Sequence, residues 1–254
     1  MSAKLYAMAH SHPAIAVRLM LDRKGIEAEV WNILPGLHPI VVRAAGFPGR
    51  TVPALRIDGE RIQGTLDISR RLDGIQPDPP LFPHDPDERT AVEDAERWGH
   101  DVLQALARRV FRYAALTSNP IRAWMAGEVV GMPFPRVAGL AYKPVIVYFA
   151  HIVGASGDAV RRDLEQLPAL LDRCDELLAA GTIGGEQPNA ADFQILTSIR
   201  LLLCHTELRP IVERWRCARA ALELVPAYPG PIPTALPRRW LPAAGPAAAM
   251  VAVP

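Results

Sequence analysis

Residues 49–74 read GRTVPALRIDGERIQGTLDISRRLDG, and the rest of the chain is organised around this stretch. Thr51 to Ile57 is rich in Val, Leu and Ile, Asp58-Gly59 is a two-residue turn signal, and Arg61 to Gln63 returns as a second short strand. A hairpin is predicted. Thr65 can then cap a helix through its hydroxyl, Asp67 puts an acid in the first turn where the helix dipole favours it, and Gly74 marks the end. Pro53 removes a ladder donor from the first strand, so it marks an edge, a bulge or a cis bond.

Upstream, residues 3–9 (AKLYAMA) read as a strand and Pro13 to Gly25 as a helix with Ser11 or His12 at its start. Glu27 to Leu34 returns as a strand, closing a βαβ unit, and Pro39 to Ala45 is a weaker helix. The predicted order is β, α, β, α, β, β, α. Downstream, Pro77 to Pro86 (PDPPLFPHDP) is a proline-rich linker. Asp85-Pro86-Asp87-Glu88 starts a helix, and Val92, Ala95, Trp98, Val102 and later apolar positions carry it for about eight turns. Asp163 to Ala180 is a further helix that Pro168 kinks or breaks. Asn189 caps the next one, with Asp192 three residues on reaching back to the cap's own amide.

This order, together with Pro53, resembles the cytosolic glutathione transferases. The resemblance rests on Lys4 to Tyr6, Ser11 with Val17 to Leu21, Lys24 to Ile26, Val52 to Leu55, Gly64 to Ile68, and the Pro188-to-Asp192 signature. It implies an α/β thioredoxin-like N-terminal domain (1–76), the linker (77–86) and an all-α C-terminal domain (87–224). A Pro/Ala-rich tail (225–254), extended and draped through Tyr228, Leu236 and Trp240, completes the chain. It also implies a cis peptide before Pro53, and a homodimer.

The family stabilises a thiolate, and a free thiol with pKa near about 8.5 is only slightly ionised at neutral pH. The resemblance places Ser11 where the serine and cysteine classes hold the sulfur; a plain N-cap is its other role. Tyr6 is the runner-up hydroxyl. Val52 stands where a backbone pairs with the cysteinyl part of glutathione, beside Pro53, and Thr65 where a hydroxyl holds the γ-glutamyl carboxylate. Gly64 replaces the family's Glu or Gln, so Asp67 is the remaining acid for the γ-glutamyl amine, and Arg50 a partner for the glycyl end. Trp98, Phe111, Tyr113 and Trp124 are candidates for the second-substrate pocket, or core aromatics.

Ser11-His12-Pro13-Ala14 lacks the cysteine that disulfide reductases need. His10 and His12 have no third ligand nearby, so they read as exposed loop histidines and no metal is expected. Basic residues (28) and acidic residues (27) nearly cancel, which argues against nucleic acid as a partner. Three cysteines, an odd count with no close spacing, and the lack of a leader-like apolar run at the N-terminus point to the cytoplasm. Val137 to Ala155 is nearly long enough to span a bilayer, but Lys143, Pro144 and His151 argue for a buried or domain-interface helix instead, so a membrane partner is not expected. The expected activity is addition of glutathione, as co-substrate, to a small-molecule electrophile. Its rivals are a transferase or isomerase using a different small thiol, suggested by Gly64, and a non-catalytic binding or scaffold protein.

Overall fold

The computed structural model describes residues 1–228 and 230–242. The predicted tail therefore lies partly outside the described residues. Two compact units are present: Met1–Gln104 with Gly181–Ser198, and Ala105–Ala180 with the described residues from Ile199 onward.

The first unit is built on a four-stranded sheet in the order β2-β1-β3-β4. Its strands are β1 (Ala3–Ala7), β2 (Ala28–Asn32), β3 (Ala54–Ile57) and β4 (Glu60–Gln63). β1 runs parallel to β2 and antiparallel to β3, and β3 pairs antiparallel with β4. Side chains alternate across this sheet. Tyr6 lies on one face in a cluster with Ile33, Val42, Phe47 and Ala54; Leu5 and its partner Leu55, both fully buried, lie on the other. α1 (His12–Arg23) and α3 (Thr65–Ile75) pack on each other, while α2 (His38–Ala44) contributes Val42 to the Tyr6 cluster. The sheet with α1, α2 and α3 forms a thioredoxin-like domain, and the Val52–Pro53 bond is cis.

A buried lysine holds the proline-rich linker. Lys24 at the end of α1 donates to Asp73 Oδ1 at 2.7 Å and to the carbonyls of Pro79 at 2.7 Å and Pro77 at 3.3 Å. Asp73 also accepts from the Leu81 amide at 2.7 Å. Beyond the linker, α4 (Pro86–Trp98) starts at Asp85, whose carboxylate accepts from the Asp87 and Glu88 amides. On α4, Glu96 is fully buried and receives Ser69 Oγ at 2.7 Å and Arg70 Nη1, both from α3; burial pushes its carboxyl up.

The predicted eight-turn helix is real but not regular. α4 continues through a π-helical turn, Gly99–Leu103, into α5 (Gln104–Thr117). Gly99 lies against α10 (Ala190–Cys204), where a Cβ would stand 2.7 Å from Ile195 Cγ1. The start of α10 carries the predicted capping box: Asn189 Oδ1 accepts from the Ala191 and Asp192 amides, and Asp192 accepts from those of Asn189 and Gly184.

The second unit is mostly helical, with α6 (Asn119–Trp124), a π-helical turn at Met125–Val129, α7 (Pro135–Ala141), α8 (Lys143–Ile152) and α9 (Gly157–Ala179). α11 (Arg209–Val212) and α12 (Arg216–Leu224) follow α10. α9 runs through Pro168 without breaking. Arg109 on α5 grips Asp163 on α9 through two bonds of 2.7 Å. The described tail packs on the end of α10, where the Ile232 amide donates to the Cys204 carbonyl and Glu207 accepts from the Ala235 and Leu236 amides. Tyr228 and Leu236 are buried and Trp240 lies against Tyr113, 5.5 Å between ring centres.

One expectation fails clearly. Residues 137–155 form no single buried helix: they divide into α7 and α8, and both helices leave apolar side chains in solvent. Among the described residues no helix is long and apolar enough to cross a membrane.

Candidate functional site

The register of the sheet gathers the candidate residues of the first unit at one end. Tyr6 pairs with Ala54, so the chain entering β3 through Val52 and Pro53 passes the end of β1, where the turn to Ser11 begins. Gln63 also pairs with Ala54, and the Gly64 amide donates to the Pro53 carbonyl at 3.0 Å, so α3 starts at that same end. Ser11, Val52, Pro53 and Thr65 therefore share one edge with the N-termini of two helices. Exposed amides and partial positive charge at such ends suit an anion.

Ser11 occupies the N-cap position of α1, but its side chain caps nothing. Its amide donates to the Met8 carbonyl at 3.1 Å and its carbonyl accepts from the Ile15 amide at 2.8 Å. The half-buried hydroxyl makes no hydrogen bond among the described residues. Neighbouring His10 holds the turn with a φ of 58°, and burial, aided by Arg18, lowers its imidazole pKa. His12 is not an exposed loop residue: it is the buried first residue of α1. Tyr6 is buried with its ring against Trp31 and Phe47, in the place of a core aromatic.

At α3 the local chemistry differs from the sequence expectation. Thr65 does not cap the helix; it is the first helical residue, and Gly64 is the cap, with φ 96° and ψ 150°. That backbone region is open essentially to glycine alone. Gly64 thus answers a backbone requirement, and the glycine cannot be read only as a lost side chain. Thr65 is 2 % exposed, and its Oγ1 has no hydrogen-bond partner. Such a hydroxyl is costly to leave unpaired.

Between the two helix ends, Val52 is half-buried outside any strand, and its amide and carbonyl make no hydrogen bond among the described residues. The loop before it is held by a residue the sequence did not single out. Gln63 accepts from the Gly49 amide at 2.7 Å and donates to the Thr51 carbonyl at 2.6 Å. Nothing in the sequence marks Gln63, because its partners lie across a hairpin whose register only the structure shows. Arg50 and Asp67 are exposed at the margins. Among the described residues no group of His, Cys, Asp or Glu is arranged to hold a metal.

The aromatics proposed for a second substrate do not all fall in one unit. Trp98 ends α4 in the first. Phe111, Tyr113 and Trp124 belong to the second, where Phe111 meets the buried His205 edge-on and Tyr113 meets Trp240.

Residues 5–80 match the family model of the glutathione S-transferase N-terminal domain. Among solved structures, a glutathione S-transferase from Sinorhizobium meliloti 1021 is 19 % identical with TM-score 0.56, over 88 % of this chain and 86 % of that one. A glutathione S-transferase from Methylobacterium radiotolerans, solved with glutathione sulfonate, is 20 % identical with TM-score 0.55, over 88 % and 90 %. A beta-etherase from Sphingobium sp. strain SYK-6 is 16 % identical with TM-score 0.58, over 88 % and 99 %. No curated protein matches by sequence. Fold and N-terminal domain together define a thioredoxin-like domain joined to a mostly helical remainder. Residues 5–80 are similar to the glutathione S-transferase N-terminal domain, and the chain shares its fold with these solved structures.

Proposed function

We infer that the protein is a glutathione-dependent transferase whose thiol site is the sheet edge formed by Ser11, Val52, Pro53 and Thr65. The observation that carries this reading is Thr65: a hydroxyl buried at the start of an eleven-residue helix with no partner of its own. A ligand carboxylate at this helix end would accept that hydroxyl and the free first-turn amides together. Val52 offers its backbone to the tripeptide as to an added strand. Ser11, with a hydroxyl that caps nothing, donates to the sulfur and favours its ionised form, as does the start of α1. The thiolate sulfur then attacks the electrophilic carbon, and the carbon–sulfur bond forms as the carbon's bond to its leaving group breaks. That group, a halide for an aryl halide, departs with the electron pair, and the proton released on ionisation passes to solvent. Asp67 and Arg50 lie at the margins, the first for the γ-glutamyl amine and the second for the glycyl carboxylate. The structures solved as glutathione S-transferases, one of them with glutathione sulfonate, support the choice of thiol.

Calorimetric titration with glutathione, followed by turnover of an activated aryl halide, tests this. Wild-type protein is expected to bind in the micromolar to low millimolar range, about −8 to −4 kcal/mol. Ser11→Ala should retain binding and lose about one to three orders of magnitude in turnover. No heat with glutathione would overturn the reading and favour a scaffold role or another thiol.

A further inference from the structure

We propose that the α7–α8 segment of the second unit is a docking face for the surface of an anionic phospholipid bilayer. Gly139 presses α7 against α6: a Cβ there would stand 2.8 Å from the Ala123 amide nitrogen, and Arg122 Nε donates to the Gly139 carbonyl at 3.1 Å. With that side closed, Val137 (66 % exposed) and Leu140 turn to solvent. On α8 the packed side is Ile146 and Ala150, while Pro144, Val147, Tyr148 and His151, at helical spacing, are exposed together with Ile152. Phe134, 79 % exposed, precedes α7 in a left-handed conformation with φ 51°. A bulky residue there is an outlier, and its ring stands in water beside the other apolar side chains. Apolar groups thus lie on the outward side of the segment as well as on its packed side.

Charge selects the occupant. From Val129 to Gly157 there is no acid, while Arg136 and Lys143 are exposed in the same segment. A two-fold contact with a second copy would set this face against itself, cation facing cation with no carboxylate to pair. A bilayer surface with anionic headgroups satisfies both features: apolar side chains enter the acyl boundary and the cations reach the headgroups. Neither helix is long enough to span, so the contact is peripheral.

Vesicle flotation of the whole protein tests it, with phosphatidylcholine alone and with phosphatidylcholine and phosphatidylglycerol in equal parts. The protein is expected to float with the mixed vesicles, less so at high salt, and not with phosphatidylcholine alone. Phe134→Ser combined with Val137→Ser and Leu140→Ser should abolish flotation. Arg136→Gln with Lys143→Gln should lower partitioning about 25-fold, roughly fivefold for each cation. All these positions are exposed, so folded variants are expected and unchanged thermal melting checks it. Flotation with neither vesicle, equal flotation with both, or full binding by the serine variant would overturn the proposal. So would a dimer in solution that the serine variant dissociates, which would assign the face to a second copy.

Discussion

Replacing Thr65 by valine should stabilise the free protein and weaken its grip on glutathione, a pairing of effects that a structural threonine would not give. The methyl and hydroxyl of threonine and the two methyls of valine occupy similar space, and the two residues have similar helix propensity. In the free protein Thr65 is only 2 % exposed, and its buried hydroxyl has no partner. An unsatisfied buried hydroxyl costs about 1–3 kcal/mol, and replacing it by a methyl recovers part of that. A gain of about 1–2 kcal/mol corresponds to a rise in Tm of roughly 2–8 °C for a protein of this size. A hydrogen bond to a charged carboxylate contributes about 1.5–3 kcal/mol, so affinity should fall roughly tenfold to 150-fold. Thermal melting with and without glutathione, beside calorimetric titration, reads both effects. A destabilised Thr65→Val protein, or one that binds glutathione like wild type, would refute the assignment.

Gly64→Ala should cost about 1–3 kcal/mol in chemical denaturation, because a side chain is forced to φ 96°; an unchanged midpoint would show that the cap relaxes. Lys24→Ala strands Asp73 and the linker carbonyls, and should cost about 3–5 kcal/mol. A loss below about 1 kcal/mol would mean that water, or Arg89, whose Nη1 lies 3.9 Å from Asp73 Oδ2, replaces the ammonium. Burial raises the Asp192 carboxyl to about 6 against an ordinary 3.8, outweighing the amides of Asn189 and Gly184 that favour the carboxylate. The folded state therefore holds this proton more tightly, and the associated stability, full below about pH 4, is lost as pH rises through about 6. Asp192→Asn cannot ionise, so the stability of wild type relative to it should fall by up to about 3 kcal/mol between roughly pH 4 and 7. A difference that grows with pH would show the two amides winning.

Much of the first unit was legible because its signals are local. Asp58-Gly59 between two apolar runs specifies the hairpin, Asp85 before Pro86 specifies a helix start, and Asn189 with Asp192 specifies another; each acts over a few residues. The site was less legible because backbone conformation and distant partners set it. The φ of Gly64 moves the cap back by one residue and turns Thr65 from a cap into a buried, unpartnered hydroxyl. Nothing near Lys24 in sequence names its partners, because Pro79 lies 55 positions on. The apolar run at 137–155 misled for the opposite reason: composition implies burial, but only packing decides it, and the Gly139 contact commits just one side of α7. A π-helical turn at Gly99–Leu103 likewise has no periodic signature in sequence.

The role of Ser11 is read most simply from the ionisation of bound glutathione, followed by thiolate absorbance in the ultraviolet as pH is varied, on wild type and on Ser11→Ala. In the wild type the bound thiol should ionise well below the free value of about 8.5, and in Ser11→Ala its pKa should return most of the way towards it. A bound thiol that titrates as in free solution, or one equally acidic without the Ser11 hydroxyl, would contradict the role given to Ser11.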